Sequence, residues 1–175
     1  MPTQTTQPTQ ATQAPKGAAR TDPEFQSLDF SREVAIAAPI NIAFQAVLAQ
    51  VGPEGQMPGG KPFPMKLELW PGGRWWRDLG DNAGHFWGHV QVIKPPTLLE
   101  LSGPMFMSYP AINHVQYRLS ADEGVGGTRL NFRHRAYGQL EKDFVEGVDH
   151  GWNFYLQRIA EIAQRLESER RAKGK

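Results

Sequence analysis

From about Glu141 to Arg170 the chain repeats apolar residues at helical spacing: Phe144 or Val145, Val148, Trp152, Tyr155, Leu156, Ile159, Ile162, Ala163 and Leu166. A helix with such a stripe must bury it against something. The chain ahead of it offers one shorter helix and otherwise strands. Ile40, Phe44, Val47, Leu48 and Val51 carry the shorter helix, with Pro39 placed to open it and Gly52 to end it. A strand over Glu33–Ala37 precedes it. Gly52 to Pro64 is rich in Gly and Pro and reads as a loop with at most a short helical turn.

A meander of short strands follows. Met65–Leu69 alternates, Pro71-Gly72-Gly73 turns, and Arg74–Leu79 and His85–Ile93 flank a second turn at Asp81–Gly84. Pro95-Pro96 stops the longer strand. Leu98–Ser102, Ile112–Ser120 and Thr128–Arg135 complete the set, the last two joined by a hairpin loop at Asp122–Gly127. Consecutive strands with tight turns make an antiparallel sheet. The chain is therefore α+β: a curved antiparallel sheet of about six to seven strands wrapped around a long C-terminal helix, each burying one apolar face on the other.

Ahead of this domain, residues 1–26 are mostly Thr, Gln, Pro and Ala and cannot bury enough surface to offset their ordering entropy, so they read as a disordered tail. The domain spans 27–170 and a basic end, 171–175, frays. With 19 Lys and Arg against 18 Asp and Glu, the formal charge of +1 gives no pull toward nucleic acid. No cysteine is present, which excludes disulfides, thiolate metal sites and a cysteine nucleophile. No apolar run reaches the length of a membrane span, and the start lacks the pattern of a secretory signal. Cytoplasm is the resulting expectation, with no membrane span and no nucleic-acid partner.

Chemistry-bearing motifs are sparse. There is no P-loop, no dinucleotide fingerprint after a strand and no nucleophile elbow. His85 and His89 lie four apart on a strand, about 13 Å, too far to grip one metal ion. No metal site, cofactor or catalytic residue is therefore assigned. His134 shares a strand face with Leu130 and Phe132, either as a satisfied core residue or as a polar group reaching a cavity. Trp70, Trp75, Trp76 and Trp87 crowd adjacent strands, as core packing or as an aromatic wall. Gly147 and Gly151 lie one turn apart on the last helix, where glycine costs up to about 1 kcal/mol relative to alanine, so they serve either close packing or a space.

Several short motifs stand in a familiar order. They are Ala38-Pro39 with Ala43-Phe44-Gln45-Ala46-Val47, then Pro71-Gly72-Gly73-Arg74-Trp75, then Gly88-His89-Val90 with Pro95-Pro96 and Leu98-Leu99, then Gly127-Thr128-Arg129-Leu130 with His134, and finally Gly151-Trp152. From about Arg32 to Leu166 the chain resembles the SRPBCC (START-like) superfamily, in the branch named after activators of a heat-shock-chaperone ATPase. The resemblance implies a helix-grip fold. It departs at Gly52–Pro64, where the family commonly carries a second short helix with an aromatic cluster at the pocket mouth.

Alternation and resemblance together imply a module that binds an apolar small molecule between the sheet and the last helix. The residues expected to line it are Trp75, Trp87, Tyr117, Phe132, His134 and Trp152, with Met107 and Tyr109 near the mouth. One alternative is a cyclase- or aromatase-like enzyme acting on a hydrophobic carbonyl compound, with His134 as general acid or base and Tyr117 or Arg77 polarising the carbonyl. Another is an interaction protein that stimulates a chaperone ATPase. A hydrophobic small molecule is the expected partner, and a chaperone or a second copy of the chain remains open as a macromolecular one.

Overall fold

The computed structural model describes residues 25–106, 110–124 and 126–174. In chain order these form β1 (Gln26–Ile36), α1 (Ile40–Val51), β2 (Lys66–Leu67), β3 (Arg74–Gly80), β4 (Ala83–Lys94), β5 (Leu98–Gly103), β6 (Ala111–Asp122), β7 (Gly127–Gly138) and α2 (Lys142–Lys173). The strands make one seven-stranded sheet in the order β1-β7-β6-β5-β4-β3-β2, with every neighbouring pair antiparallel. The architecture is α+β and of helix-grip type. Its core lies between the concave face of the sheet and the two helices.

Strand alternation decides which residues enter that core. Along β7 each second residue is buried, through Leu130, Phe132, His134 and Ala136, and β6 matches it with Asn113, Val115, Tyr117 and Leu119. The register sets Tyr117 opposite Phe132 and Val115 opposite His134. The first strand is longer than its apolar core suggests. It starts at Gln26 and pairs with β7 as far as Gly138, and just before it Phe25 stacks on Tyr137 at 6.2 Å. The remainder of the segment read as a tail, residues 1–24, lies outside the described residues.

The far side of the sheet is less regular. Strand β2 is only two residues long, because Glu68 turns back and its carboxylate accepts hydrogen bonds from the backbone N–H and guanidinium of Arg74. Across the β3–β4 pair, Trp75 faces Gly88 and Trp76 faces Phe86, so Trp87 is the extra residue of a bulge. The bulge brings Trp75 and Trp87 both into the core, with their rings edge-to-face at 4.9 Å. It also changes the phase of the strand, and the His89 ring lies against Phe86 at 4.9 Å. His85 and His89, four apart on the strand, therefore no longer share a face. Next to the bulge Gly88 and Gly103 let β4 and β5 approach closely, since a Cβ on Gly88 would stand 2.3 Å from the Ser102 carbonyl oxygen.

Helix α2 packs in two ways along its length. Its C-terminal part buries Leu156, Ile159, Ile162 and Ala163 against α1, which contributes Ala43, Val47 and Val51. Its N-terminal part, from Lys142 to Gly151, buries no residue completely. Burying four aliphatic side chains of this size is worth roughly 1.5–3 kcal/mol for each large one. The C-terminal part therefore anchors the helix and leaves the other end free to do something else.

Candidate functional site

An apolar cleft of about 280 Å³ lies beneath the N-terminal half of α2. The sheet wall is Trp75 and Trp87. Phe106, in the loop after β5, stands beside Trp87 at 5.5 Å and beside Phe144 of α2 at 5.3 Å. The helix wall is Phe144, Gly147, Val148, Gly151, Trp152 and Tyr155, all at three- and four-residue spacing. Met57 and Pro58, from the loop after α1, complete the lining, and Asp143 sits at the end near the start of α2. Met57 and Phe106 are exposed, so the space opens to solvent there.

The two helix glycines make the volume. A Cβ built on Gly147 or on Gly151 would meet nothing within 4 Å. Neither glycine is there for close approach to the sheet. Each removes a side chain from the one stretch of the stripe that faces Trp75 and Trp87.

Two of the wall side chains are hydrogen-bonded to the end of α1. The Trp75 indole N–H donates to the Val51 carbonyl at 2.9 Å, and the Tyr155 hydroxyl donates to the Gln50 carbonyl at 3.0 Å. The last carbonyls of a helix have no partner within it, so two walls of the cleft satisfy what the end of α1 leaves open. These bonds fix both aromatic side chains in place.

A second polar chain ties the helix wall to the sheet. The Trp152 indole N–H donates to His134 Nδ1 at 3.0 Å. An indole nitrogen can only donate, so Nδ1 is an acceptor and the ring proton lies on Nε2. That nitrogen donates to Asn113 Oδ1 at 2.8 Å, and the Asn113 amide donates to the carbonyls of Gly103 and Pro104 at 3.3 and 3.1 Å. Burial, with a smaller contribution from the charge of His114, lowers the His134 pKa to about 4. The imidazole is held neutral, with both nitrogens engaged.

Of the residues singled out from the sequence, Trp75, Trp87 and Trp152 stand on the cleft wall. Tyr117, Phe132 and His134 are fully buried in the layer behind it: Phe132 meets Trp152 at 4.5 Å, and Tyr117 meets Phe132 at 5.1 Å. Met107 and Tyr109 lie outside the described residues. Arg77 lies over the Phe63 ring at 4.0 Å, while Glu68 and Asp78 pair with Arg74 and Lys66. Sequence reasoning missed Met57, Pro58 and Phe106, which come from loops without periodicity. It placed Val148 and Tyr155, and Phe144 as an alternative to Val145, in the buried stripe without giving them to a site. Their signal was the same spacing that links the two glycines to Trp152. Among the described residues no group of three or more His, Asp or Glu could hold a metal ion, and no helix is long and apolar enough to cross a membrane.

Residues 61–164 match the family model described as Activator of Hsp90 ATPase homolog 1-like protein. The chain belongs to this family. The matched stretch includes both tryptophans of the sheet wall, Phe106 and the whole helix wall; Met57 and Pro58 fall just before it. No curated protein matches by sequence. Solved structures share the family's fold at low identity. An uncharacterized protein from Rhizobium leguminosarum superposes with a TM-score of 0.61 at 16% identity, covering 81% of this chain and 97% of its own. CalU16 from Micromonospora echinospora gives 0.51 at 21% identity, over 85% and 94%. The di-domain ARO/CYC StfQ of the steffimycin biosynthetic pathway gives 0.57 at 12% identity, over 83% of this chain and 52% of that one.

Proposed function

We propose that this family member binds an apolar small molecule in the cleft beneath α2. The observation that carries the reading is the pairing of Gly147 and Gly151, which face open space, with a wall of Trp75, Trp87, Phe106, Phe144, Trp152 and Tyr155. Glycine inside a helix costs stability, and here no close contact with the sheet offsets that cost. Ligand sites are typically concave and apolar, about 300–1,000 Å³ in size, and this cleft, at about 280 Å³, lies just below that range. Aromatic walls held by hydrogen bonds are pre-organised, which lowers the entropy a ligand must overcome.

The catalytic alternative has less support. His134, the proton-transfer candidate, donates at Nε2 and accepts at Nδ1, and Arg77 is engaged with Phe63. A general base needs a free nitrogen within hydrogen-bond reach of substrate. Stimulation of a chaperone ATPase rests on the family's name.

Native mass spectrometry of the protein purified from its own cells tests the binding reading. A single added mass of an apolar compound, lost on mild activation, is the expected result. A bare polypeptide mass, together with failure to bind hydrophobic probe dyes, would contradict it.

A further inference from the structure

Asp143, Gly147, Gly151 and Tyr155 follow one another at four-residue steps, and all four line the cleft. Residues so spaced form one row along a helix face. The two glycines leave the middle of that row bare, since a Cβ on either would meet nothing within 4 Å. The row is therefore a groove with a side chain at each end, roughly 18 Å apart along the axis at about 1.5 Å per residue.

The two ends differ in chemistry. At one, the Tyr155 hydroxyl already donates to the Gln50 carbonyl. At the other, the Asp143 carboxylate is exposed and uncommitted. The other two carboxylates in this half of α2 are taken: Glu146 pairs with Lys142 at 3.5 Å, and Asp149 with Arg32 at 2.6 Å. Asp143 has no such partner among the described residues. Among those residues it is also the one charged group on the cleft, and no basic side chain lines it. The indole N–H groups of Trp75 and Trp152 are bonded to Val51 and His134, so neither is left for a ligand. Phe144, next to Asp143 in sequence, and Phe106 have their rings 5.3 Å apart, and aromatic faces attract cations. A carboxylate in the first turn of a helix is favourable in itself. What distinguishes Asp143 is its place at the end of the glycine groove, beside two rings and opposite no positive charge.

We infer that the ligand is an amphiphilic organic cation, an amine on an apolar body, with the body among the tryptophans and the ammonium at the mouth against Asp143. The assignment rests on the ligand-binding reading above and sharpens it. An acid would bring negative charge to Asp143 with no lining cation to offset it. An alcohol could donate one hydrogen bond to the carboxylate but would gain no charge attraction. An ammonium gains both, and it keeps part of its hydration because this end is open.

The test compares three probes of nearly one shape by isothermal titration calorimetry at pH 7: 1-naphthylmethylamine, 1-naphthalenemethanol and 1-naphthoic acid. The wild type should bind the amine best and the acid worst. Asp143→Asn should cut the preference for the amine over the alcohol about two- to fivefold, as expected for an exposed ion pair. Glu146→Gln removes the same charge one turn away, off the cleft, and should leave that preference intact. Added salt should narrow the gap between amine and alcohol in the wild type, because an exposed pair is screened. Four results would each overturn the cation assignment and leave the ligand-binding reading standing: an amine bound no better than the alcohol, a preference indifferent to salt, a preference that survives Asp143→Asn, or an equal loss in Glu146→Gln. If none of the three probes binds the wild type, the binding reading fails and takes this inference with it.

Discussion

The two halves of α2 are built on the same three-to-four spacing and do opposite things. From Leu156 to Glu167 the stripe is filled with Leu and Ile and pressed against α1 and the sheet. From Phe144 to Tyr155 the same stripe contains two glycines, and a cleft takes the place of a packed interface. Trp152 stands at the boundary, buried like the first half and lining the cleft like the second. One helix can therefore be core at one end and ligand wall at the other, provided that the core end supplies the stability and the boundary is fixed. Here the Trp152–His134–Asn113 chain fixes it.

The sharpest way to break the comparison is at that boundary. Trp152→Ala removes a large buried ring and the donor to His134. We expect a loss of about 3–5 kcal/mol, seen as a large drop in denaturation midpoint or as insoluble protein. An unchanged midpoint would mean that the C-terminal half holds the helix unaided.

The second effect is smaller and depends on pH. His134 is neutral in the folded protein, with a pKa of about 4, while an unfolded histidine titrates near 6.5. As pH falls below 6.5 the unfolded state takes up the proton first, so stability declines, and the decline from this group ends once pH passes below 4. The full effect is about 3 kcal/mol. In His134→Gln the fall in midpoint between pH 6.5 and 4.5 should be clearly shallower. Equal slopes in the two proteins would show that the chain through Trp152 does not control the titration.

Much of the packed half is legible in the sequence. The alternation of β6 and β7 and the stripe of α2 put Tyr117, Phe132, His134, Trp152 and Leu156 inside without any structure. Other features depend on pairing that no local pattern carries. The outer part of β1 reads as polar through Ser31-Arg32-Glu33, and it is a strand because β7 offers it partners as far as Gly138. The bulge at Trp87 depends on Gly88 meeting Gly103 across two strands. Trp75 and Trp87 were both expected on the wall, and this unforeseen bulge is what brings them there together. Gln50 is polar and would be assigned to the surface of α1; it is buried in the region where Tyr155 crosses from α2 to bond its carbonyl. The wall from Met57 and Phe106 has no periodicity to find. Gly147 and Gly151 were visible as an oddity, and only the geometry decides between contact and space.

That decision is the central claim, and one substitution addresses it. Gly151→Leu places a large side chain where a Cβ now meets nothing, in the middle of the helix wall. Leucine also has the better helix propensity, by up to about 1 kcal/mol. The variant should fold with a melting temperature equal to or above that of the wild type, and titration with a hydrophobic probe dye should show binding abolished. A Gly151→Leu protein that unfolds, or one that binds the dye as the wild type does, would contradict the account.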